Sequence, residues 1–451
     1  MELGILFKKN YSDFARKALE TFASGNDKNV VFSPFSVVML LAILADATEG
    51  EARKEILNVI ARGIYKDLTG TLADIQNFLT DAKTFMSSNA LCVKKSLENS
   101  IVPEFLEKLS RYGGELFATE GCTREINEWV NEKTKGMIEK IVAEPMDPRF
   151  MAILMNAVAF EAKWCTPYQK SNIKKEIFTN ADSCKSTVYM LKSTENNYIE
   201  DDFFTGFVKP YEGKKYSFMA LLPKNESMEF FDESLQYIDF IKLLKSVERC
   251  DVNVSMPEFK YSCENGLIDF CKELGMKTVF SHDVDFSPFS VLPIEISEMI
   301  QKAFIEVNRK GTKAAAATFV IMSVGASPVQ LEIKVVKLDR PFIYAIIHNE
   351  TGIPVFVGTV KHIEKISSEK RKNKETIWDY KPTEEEKKKI FRFFEIDSEK
   401  ELEELVESSE RARFASLYLL FETRKDSKNL KRIGALWDKY QQKHPIRDHE
   451  F

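Results

Sequence analysis

The chain has 451 residues, 44% of them apolar and 29% charged, with 64 Lys and Arg against 69 Asp and Glu. That length supports one large core plus a smaller module. The near balance of charge gives no global field for gripping nucleic acid, and no Lys/Arg run is interleaved with aromatics, so a nucleic-acid partner is not expected.

The opening segment, MELGILFKKNYSDFARKALETFAS, lacks a basic start, a continuous apolar run and a small-residue cleavage site. Its Phe14, Leu19 and Phe22 approximate helical spacing, so it reads as a first helix rather than an export signal. No later segment is apolar for long enough to span a bilayer, and no membrane anchor is expected. The seven cysteines, Cys92, Cys122, Cys165, Cys184, Cys250, Cys263 and Cys271, are scattered and never fall in CxxC or other zinc spacing. Reduced thiols in the cytoplasm, and no metal, are the expectation; export by an unconventional route is the alternative location.

To about residue 150 the pattern is helical, with apolar residues at three and four spacings in VVMLLAILADATEGEARKEILNVI and TREINEWVNEKTKGMIEKIV. From Met151 to about Lys260 short β-like runs follow, MAILMNAVAF, STVYMLK, YSFMALLP and DVNVSMPEF, punctuated by Pro, Gly and Asn. A helix is predicted over Glu264 to Leu274, then a strand in IEISEMIQKAFIEVN and two strands around NETG in RPFIYAIIHNETGIPVFVGTV. The class is α+β with long-range strand pairing. After His362 the composition changes. Residues 364–381 read as a charged linker and 382–451 as a small helical extension. In that extension Thr383 with Glu386 and Ser398 with Glu401 have capping-box spacing. Three apolar stripes follow: Leu402, Leu405, Val406; Phe414, Leu417, Tyr418, Phe421; and Leu430, Ile433, Trp437, Tyr440.

The segments VVFSPFSV, REINEWVNEKTKGMI, LMNAVAFEAKW, VKPYEGKKYSFMALLPK, MPEFKY, QKAFIEVNRKGTKAAAAT and DRPFIYAIIHNETGIPVFVGTV occur in an order that resembles the serpin family. The resemblance covers residues 1–363, is most similar to intracellular, ovalbumin-type members, and leaves the extension unaccounted for. It implies a fold of three β-sheets and about nine helices with an exposed reactive loop. It also implies a proteinase inhibitor rather than an enzyme: a monomer that is cleaved in the loop, traps the proteinase covalently and inserts the loop into its main sheet. A non-inhibitory role in binding, chaperoning or storage is the alternative. The catalytic groups belong to the target, and the sequence contains no HExxH, GxSxG, P-loop or GxGxxG motif and calls for no cofactor.

A strand entering a sheet needs small side chains at every second position on its inward face, which Thr312, Ala314, Ala316 and Thr318 supply. Gly311 before them is expected to give the hinge its conformational freedom. Family spacing from Gly311 puts the scissile bond at Gly325-Ala326, with Met322-Ser323, Val324-Gly325 and Ala326-Ser327 as alternatives. No Arg or Lys lies between Ala314 and Glu332, which argues against a trypsin-like target. Small apolar residues suit an elastase-like pocket, and Val324 before Gly325 suits a papain-like cysteine proteinase. The resemblance further assigns Ser33, Ser36 and Asn156 to a buried shutter beneath the sheet, with Gln301 where the family usually has His, and Trp164 to the breach where the loop enters. Lys313 and the pair Arg309-Lys310 depart from commonly acidic positions. Thr69 to Ser88 shows no basic face, so heparin activation is not expected; the extension reads as a solvated helical unit, with a partner-binding adaptor as the alternative.

Overall fold

The structure is a computed structural model that describes residues 4–60, 68–80, 83–142, 146–312, 333–365, 380, 382–394, 398, 402, 410–431 and 433–434. The chain divides into two compact units, Met1–Lys365 and Ile366–Phe451. Among the described residues the first unit holds nine α-helices, beginning with Ile5–Ala23 (α1) and Pro34–Asp46 (α2), and three β-sheets.

One sheet has six strands in the order Val30–Phe32 (β1), Ile353–Val360 (β17), Phe342–His348 (β16), Tyr216–Pro223 (β10), Phe204–Pro210 (β9) and Tyr198–Glu200 (β8). A second has four: Lys334–Lys337 (β15), Val252–Pro257 (β11), Lys185–Glu195 (β7) and Ile173–Thr179 (β6). The main sheet has seven, running Gly114–Thr119 (β3), Phe85–Lys94 (β2), Ala152–Phe160 (β4), Ile296–Asn308 (β13), Gly311–Thr312 (β14) and Ala162–Lys163 (β5), with Phe259–Gly266 (β12) also paired to β13.

The unbroken apolar run AILMNAVAF forms β4 because a central strand covered on both faces must be apolar on both. Its alternate residues divide between two cores. Leu154 and Val158 join the large core, and Met155, Ala157 and Ala159 join a smaller one that includes Trp129 and Val130 of the helix Arg124–Lys133. The helix α2 is apolar all round and buried along its whole length, with Pro34 at its first position, where the missing N–H costs nothing.

The helix predicted from Glu264 begins later. Glu264, Asn265 and Gly266 belong to β12, where they pair with Lys302, Gln301 and Ile300, and only Ile268–Glu273 is helical. Ladder pairing along the edge of β13 overrides local helical propensity there. All seven cysteines are free thiols, and burial pushes those of Cys92 and Cys271 up to about 12.

In the second unit the capping box at Thr383 and Glu386 forms reciprocally. Thr383 N–H donates to Glu386 Oε2 at 2.7 Å and Glu386 N–H to Thr383 Oγ1 at 3.3 Å, opening the helix Glu384–Phe394. Arg424, just past the helix Glu410–Thr423, grips the same carboxylate through Nε and Nη2. Ile390, Leu402, Leu417, Leu420, Phe421 and Ile433 form this unit's core. Tyr418, predicted on the apolar stripe, is 47% exposed, and Leu420 takes an inward position instead. Glu401, Leu405, Val406, Trp437 and Tyr440 lie outside the described residues.

His348, at the end of β16, is buried between the Phe78 and Tyr216 rings, with Nδ1 2.9 Å from Thr351 Oγ1. Burial, reinforced by the charge of Lys215, lowers its pKa to about 4. The unfolded chain therefore binds this proton more readily than the folded one. The contribution is fully present above about pH 6.5 and is lost as pH falls towards 4. Unfolding titrations of the wild type should lose roughly 1–3 kcal/mol across that window relative to a His348→Gln variant, after allowance for solvent screening. Identical pH slopes in the two proteins would contradict this assignment.

Candidate functional site

In the main sheet β4 and β13 lie side by side in parallel, with Leu154 opposite Met299, Asn156 opposite Gln301 and Ala159 opposite Phe304. At the Asn156–Gln301 rung both side chains are fully buried on the large-core side. A buried amide is tolerated only when its polar atoms are bonded. Gln301 Nε2 donates to Asn156 Oδ1 and to Ser33 O, each at 3.0 Å, and its Oε1 accepts from Ser33 N–H at 2.8 Å. Asn156 Nδ2 donates to Asn89 Oδ1 at 2.9 Å and makes longer contacts to Ser87 Oγ and Ser88 O.

Ser33 and Ser36 complete the network from the start of α2. Their hydroxyls lie 2.9 Å apart; Ser33 Oγ donates to Val355 O of β17 at 2.8 Å, and Ser36 Oγ is 2.9 Å from Ser87 Oγ. The structure thus brings together Ser33, Ser36, Asn156 and Gln301, and adds Ser87, Asn89 and Val355, which sequence reading did not single out. The available signal for two of these was the polar SSN run interrupting the apolar β2. Gln301 donates twice and accepts once in this setting and does not titrate near neutral pH.

At the upper end of the seam β13 turns at Arg309 and Lys310 and returns as β14. There Gly311 and Thr312 pair with Asn308 and Val307 on one side and with Lys163 and Ala162 on the other. A Cβ added to Gly311 would collide with the Ala162 carbonyl oxygen and lie 2.6 Å from Lys163 Cα. Close approach of two backbones therefore requires a residue without a side chain at this position. Thr312 is fully buried, its Oγ1 2.6 Å from Tyr211 Oη.

Trp164 stacks on the Tyr211 ring at 4.5 Å and 8°, while its Nε1 donates to Asn308 O and its backbone N–H to Lys310 O, both at 2.9 Å. The Tyr168 N–H holds Arg309 O at 2.9 Å. Below this lies a buried ion pair, Lys209 Nζ to Glu195 Oε1 at 2.5 Å, with the ammonium 4.6 Å from the centre of the Tyr168 ring. Glu258 Oε1 accepts the Arg309 N–H at 3.1 Å. Burial raises the Glu258 pKa, and the Arg309 hydrogen bond and positive charge oppose that rise. The basic residue that departs from the family pattern therefore has an acidic neighbour. Lys313, Ala314, Ala316, Thr318, Met322, Ser323, Val324, Gly325 and Ala326 lie outside the described residues.

A family model described as Serpin (serine protease inhibitor) matches residues 9–363. The chain belongs to the serpin family. An uncharacterised serpin-like protein of Thermococcus kodakarensis is 31% identical over 350 residues, 74% of this chain and 81% of the relative. Serpin B6 of Pongo abelii is 29% identical over 76% of this chain and 96% of its own. The crystal structure of a thermophilic serpin, tengpin, in the native state superimposes with a TM-score of 0.73 at 33% identity, covering 80% of this chain and 96% of tengpin. Against tengpin in the latent state the TM-score is 0.68. Serpins are in general proteinase inhibitors, although some members are not inhibitory.

Replacing Gln301 by Leu would strand Ser33 N–H and Asn156 Oδ1 in the core. A buried polar group left without a partner costs about 1–3 kcal/mol. The uncleaved Gln301→Leu protein should unfold at correspondingly lower denaturant, and an unchanged midpoint would contradict a structural role for the rung.

Proposed function

We propose that this serpin inhibits an endopeptidase as a suicide substrate. The target's nucleophile attacks the Gly325 carbonyl, the Ala326 amine leaves, and Gly325 stays bound to the enzyme as an acyl ester or thioester. Entry of the freed loop between β4 and β13 then distorts the enzyme before water can release it. The observation that carries this reading is β14: Gly311 and Thr312 already stand as a short strand between β13 and β5, aligned to continue down the seam.

Insertion would exchange one ladder, β4 to β13, for two, so the sheet would gain the backbone hydrogen bonds of one added strand while the Gln301–Asn156 rung is opened.

The register also supports the choice of bond. Counted from the Thr312–Val307 pair, β13 runs out at Ile296 opposite Ser323; counted from the Thr312–Ala162 pair, β4 runs out at Ala152 opposite Met322. In an inserted strand of that register Gly325 would fall just past both ends, whereas Met322 would still be inside the sheet. The absence of Lys and Arg in this stretch favours an elastase-like or papain-like enzyme over a trypsin-like one.

Incubation with an elastase-like serine or papain-like cysteine proteinase should give an SDS-stable complex and release a fragment whose mass begins at Ala326. Trypsin should give none attributable to this bond. Cleavage with turnover, without a complex and without a rise in thermal midpoint, would instead favour a non-inhibitory binding role.

A further inference from the structure

Between Ala314 and Leu331 the sequence carries no charged residue at all. The described chain on which the N-terminal end of that segment is mounted is, by contrast, rich in cations. Two stretches meet there. Trp164 N–H donates to Lys310 O and Tyr168 N–H to Arg309 O, each at 2.9 Å, and Lys163 pairs with Gly311. The stretch so bonded to Arg309 and Lys310 carries Lys163, then Lys170 two residues past Tyr168, then Lys174 in β6, an edge strand of the four-stranded sheet. Lys170 and Lys174 are exposed, and Lys163 and Arg309 are half-buried.

The acids of this region are already committed elsewhere. Glu161 lies 3.5 Å from Lys135 and Glu306 2.9 Å from Lys260. Glu176 is shared by Lys192 and Lys337, and Glu195 is held by the buried Lys209. Glu258 accepts the Arg309 backbone N–H rather than pairing with its guanidinium. Among the described residues no carboxylate forms an ion pair with Lys163, Lys170, Lys174 or Arg309. The turn after Tyr211, which bridges to Trp164, offers one acid and two bases, Glu212 with Lys214 and Lys215, and does not reverse the sign. Positive charge therefore stands without counter-charge at the point where the chain leaves β14. Like charges so grouped do nothing for the fold, and their field acts on whatever approaches from solvent.

We propose that Lys163, Lys170, Lys174 and Arg309 form a cationic docking face, and that the endopeptidase trapped by this chain bears a carboxylate-rich surface beside its active-site cleft. The proposal rests on the inhibitory reading above. The uncharged loop decides which bond fits the cleft, and the cationic face decides which enzymes arrive quickly. An enzyme engaging the loop must approach the end of β14, which the face adjoins, so the partner is the target itself rather than a free polyanion. Charges at the rim of an encounter act chiefly on the association rate and on its dependence on salt. The covalent step and the movement of the loop follow afterwards.

The test uses an elastase-like serine proteinase in two forms, native and with its surface lysines succinylated, which converts ammonium groups into carboxylates. Both forms are titrated for active sites, and the second-order rate of SDS-stable complex formation is measured across ionic strength. The full-length wild type is compared with a triple variant, Lys163→Glu, Lys170→Glu and Lys174→Glu, and with the same three lysines changed to Arg. With the succinylated enzyme at low salt the wild type should react about tenfold or more faster than the Glu variant, and the gap should close as salt rises to ~0.5 M. The native enzyme should show a smaller gap, and the Arg variant should follow the wild type. Equal thermal midpoints of the uncleaved proteins check that the fold is intact. Equal, salt-independent rates for the wild type and the Glu variant would overturn the docking face and leave inhibition standing. Equal rates with retention of the wild type alone on a sulfated polysaccharide would assign the face to a polyanion and overturn the proposal too. No complex with either form of the enzyme, from any of the proteins, would defeat the inhibitory reading and the proposal with it.

Discussion

A hydrogen bond from Gln301 to Asn156 crosses the seam between two parallel strands whose residues are 145 positions apart in the chain, and it is buried from solvent. In so dry a setting a polar group is strongly bound when paired and strongly unfavourable when not. Three parts of the molecule converge on this contact to satisfy it. The helix α2 presents Ser33 and Ser36 at its proline-initiated start, β17 of the six-stranded sheet offers the Val355 carbonyl, and β2 supplies Ser87 and Asn89. Displacing any of these would leave an amide or hydroxyl unpaired in the core. The rung therefore ties the position of the helix and the neighbouring sheet to whether the main sheet is closed.

The upper end of the seam is built differently. There the two backbones approach so closely at Gly311 and Ala162 that a side chain is excluded, and Trp164 and Tyr168 hold three successive carbonyls, those of Asn308, Arg309 and Lys310. The buried Lys209–Glu195 pair keeps an ammonium against the Tyr168 ring. Such pairs are weak sources of net stability because both ions must be desolvated. Removing one partner, however, strands the other. The top of the seam is thus held in fixed geometry with a strand already begun, while its middle is held by the rung. A strand that entered along the proposed path would meet its principal polar obstacle six residues in, at Asn156 and Gln301.

Much of this was legible in sequence because the ordered segments carry their structural reasons with them. FSPFS announces a proline-initiated helix with two serines, and the polar Asn156 inside an otherwise apolar strand signals a buried partner. Gln301 was identifiable only by resemblance, since its neighbours Ile300 and Lys302 give no cue to its bonding. Glu258 and Lys209 were not readable at all. Glu258 lies between β11 and β12 and Lys209 within β9, and the partner of each, Arg309 or Glu195, comes from elsewhere in the chain, so no local spacing records the contact. The helix predicted from Glu264 starts only at Ile268 for the related reason that pairing to β13 extends β12 through Gly266. In the second unit the Thr383–Glu386 capping box was local and therefore visible, whereas the Arg424 grip on Glu386 was not.

The central claim is that this serpin works by parting β4 from β13. Ala157 and Lys302 are directly paired across the seam, on the face away from the rung, and neighbouring strands bring paired Cα atoms within the range of a disulfide. An Ala157→Cys, Lys302→Cys protein, oxidised to lock the seam and then reduced to free it, should be tested against an elastase-like proteinase beside the wild type in both conditions. The account predicts that the oxidised form is cleaved as an ordinary substrate with no SDS-stable complex, and that reduction restores the complex. Equal complex formation by the locked and freed forms would contradict it.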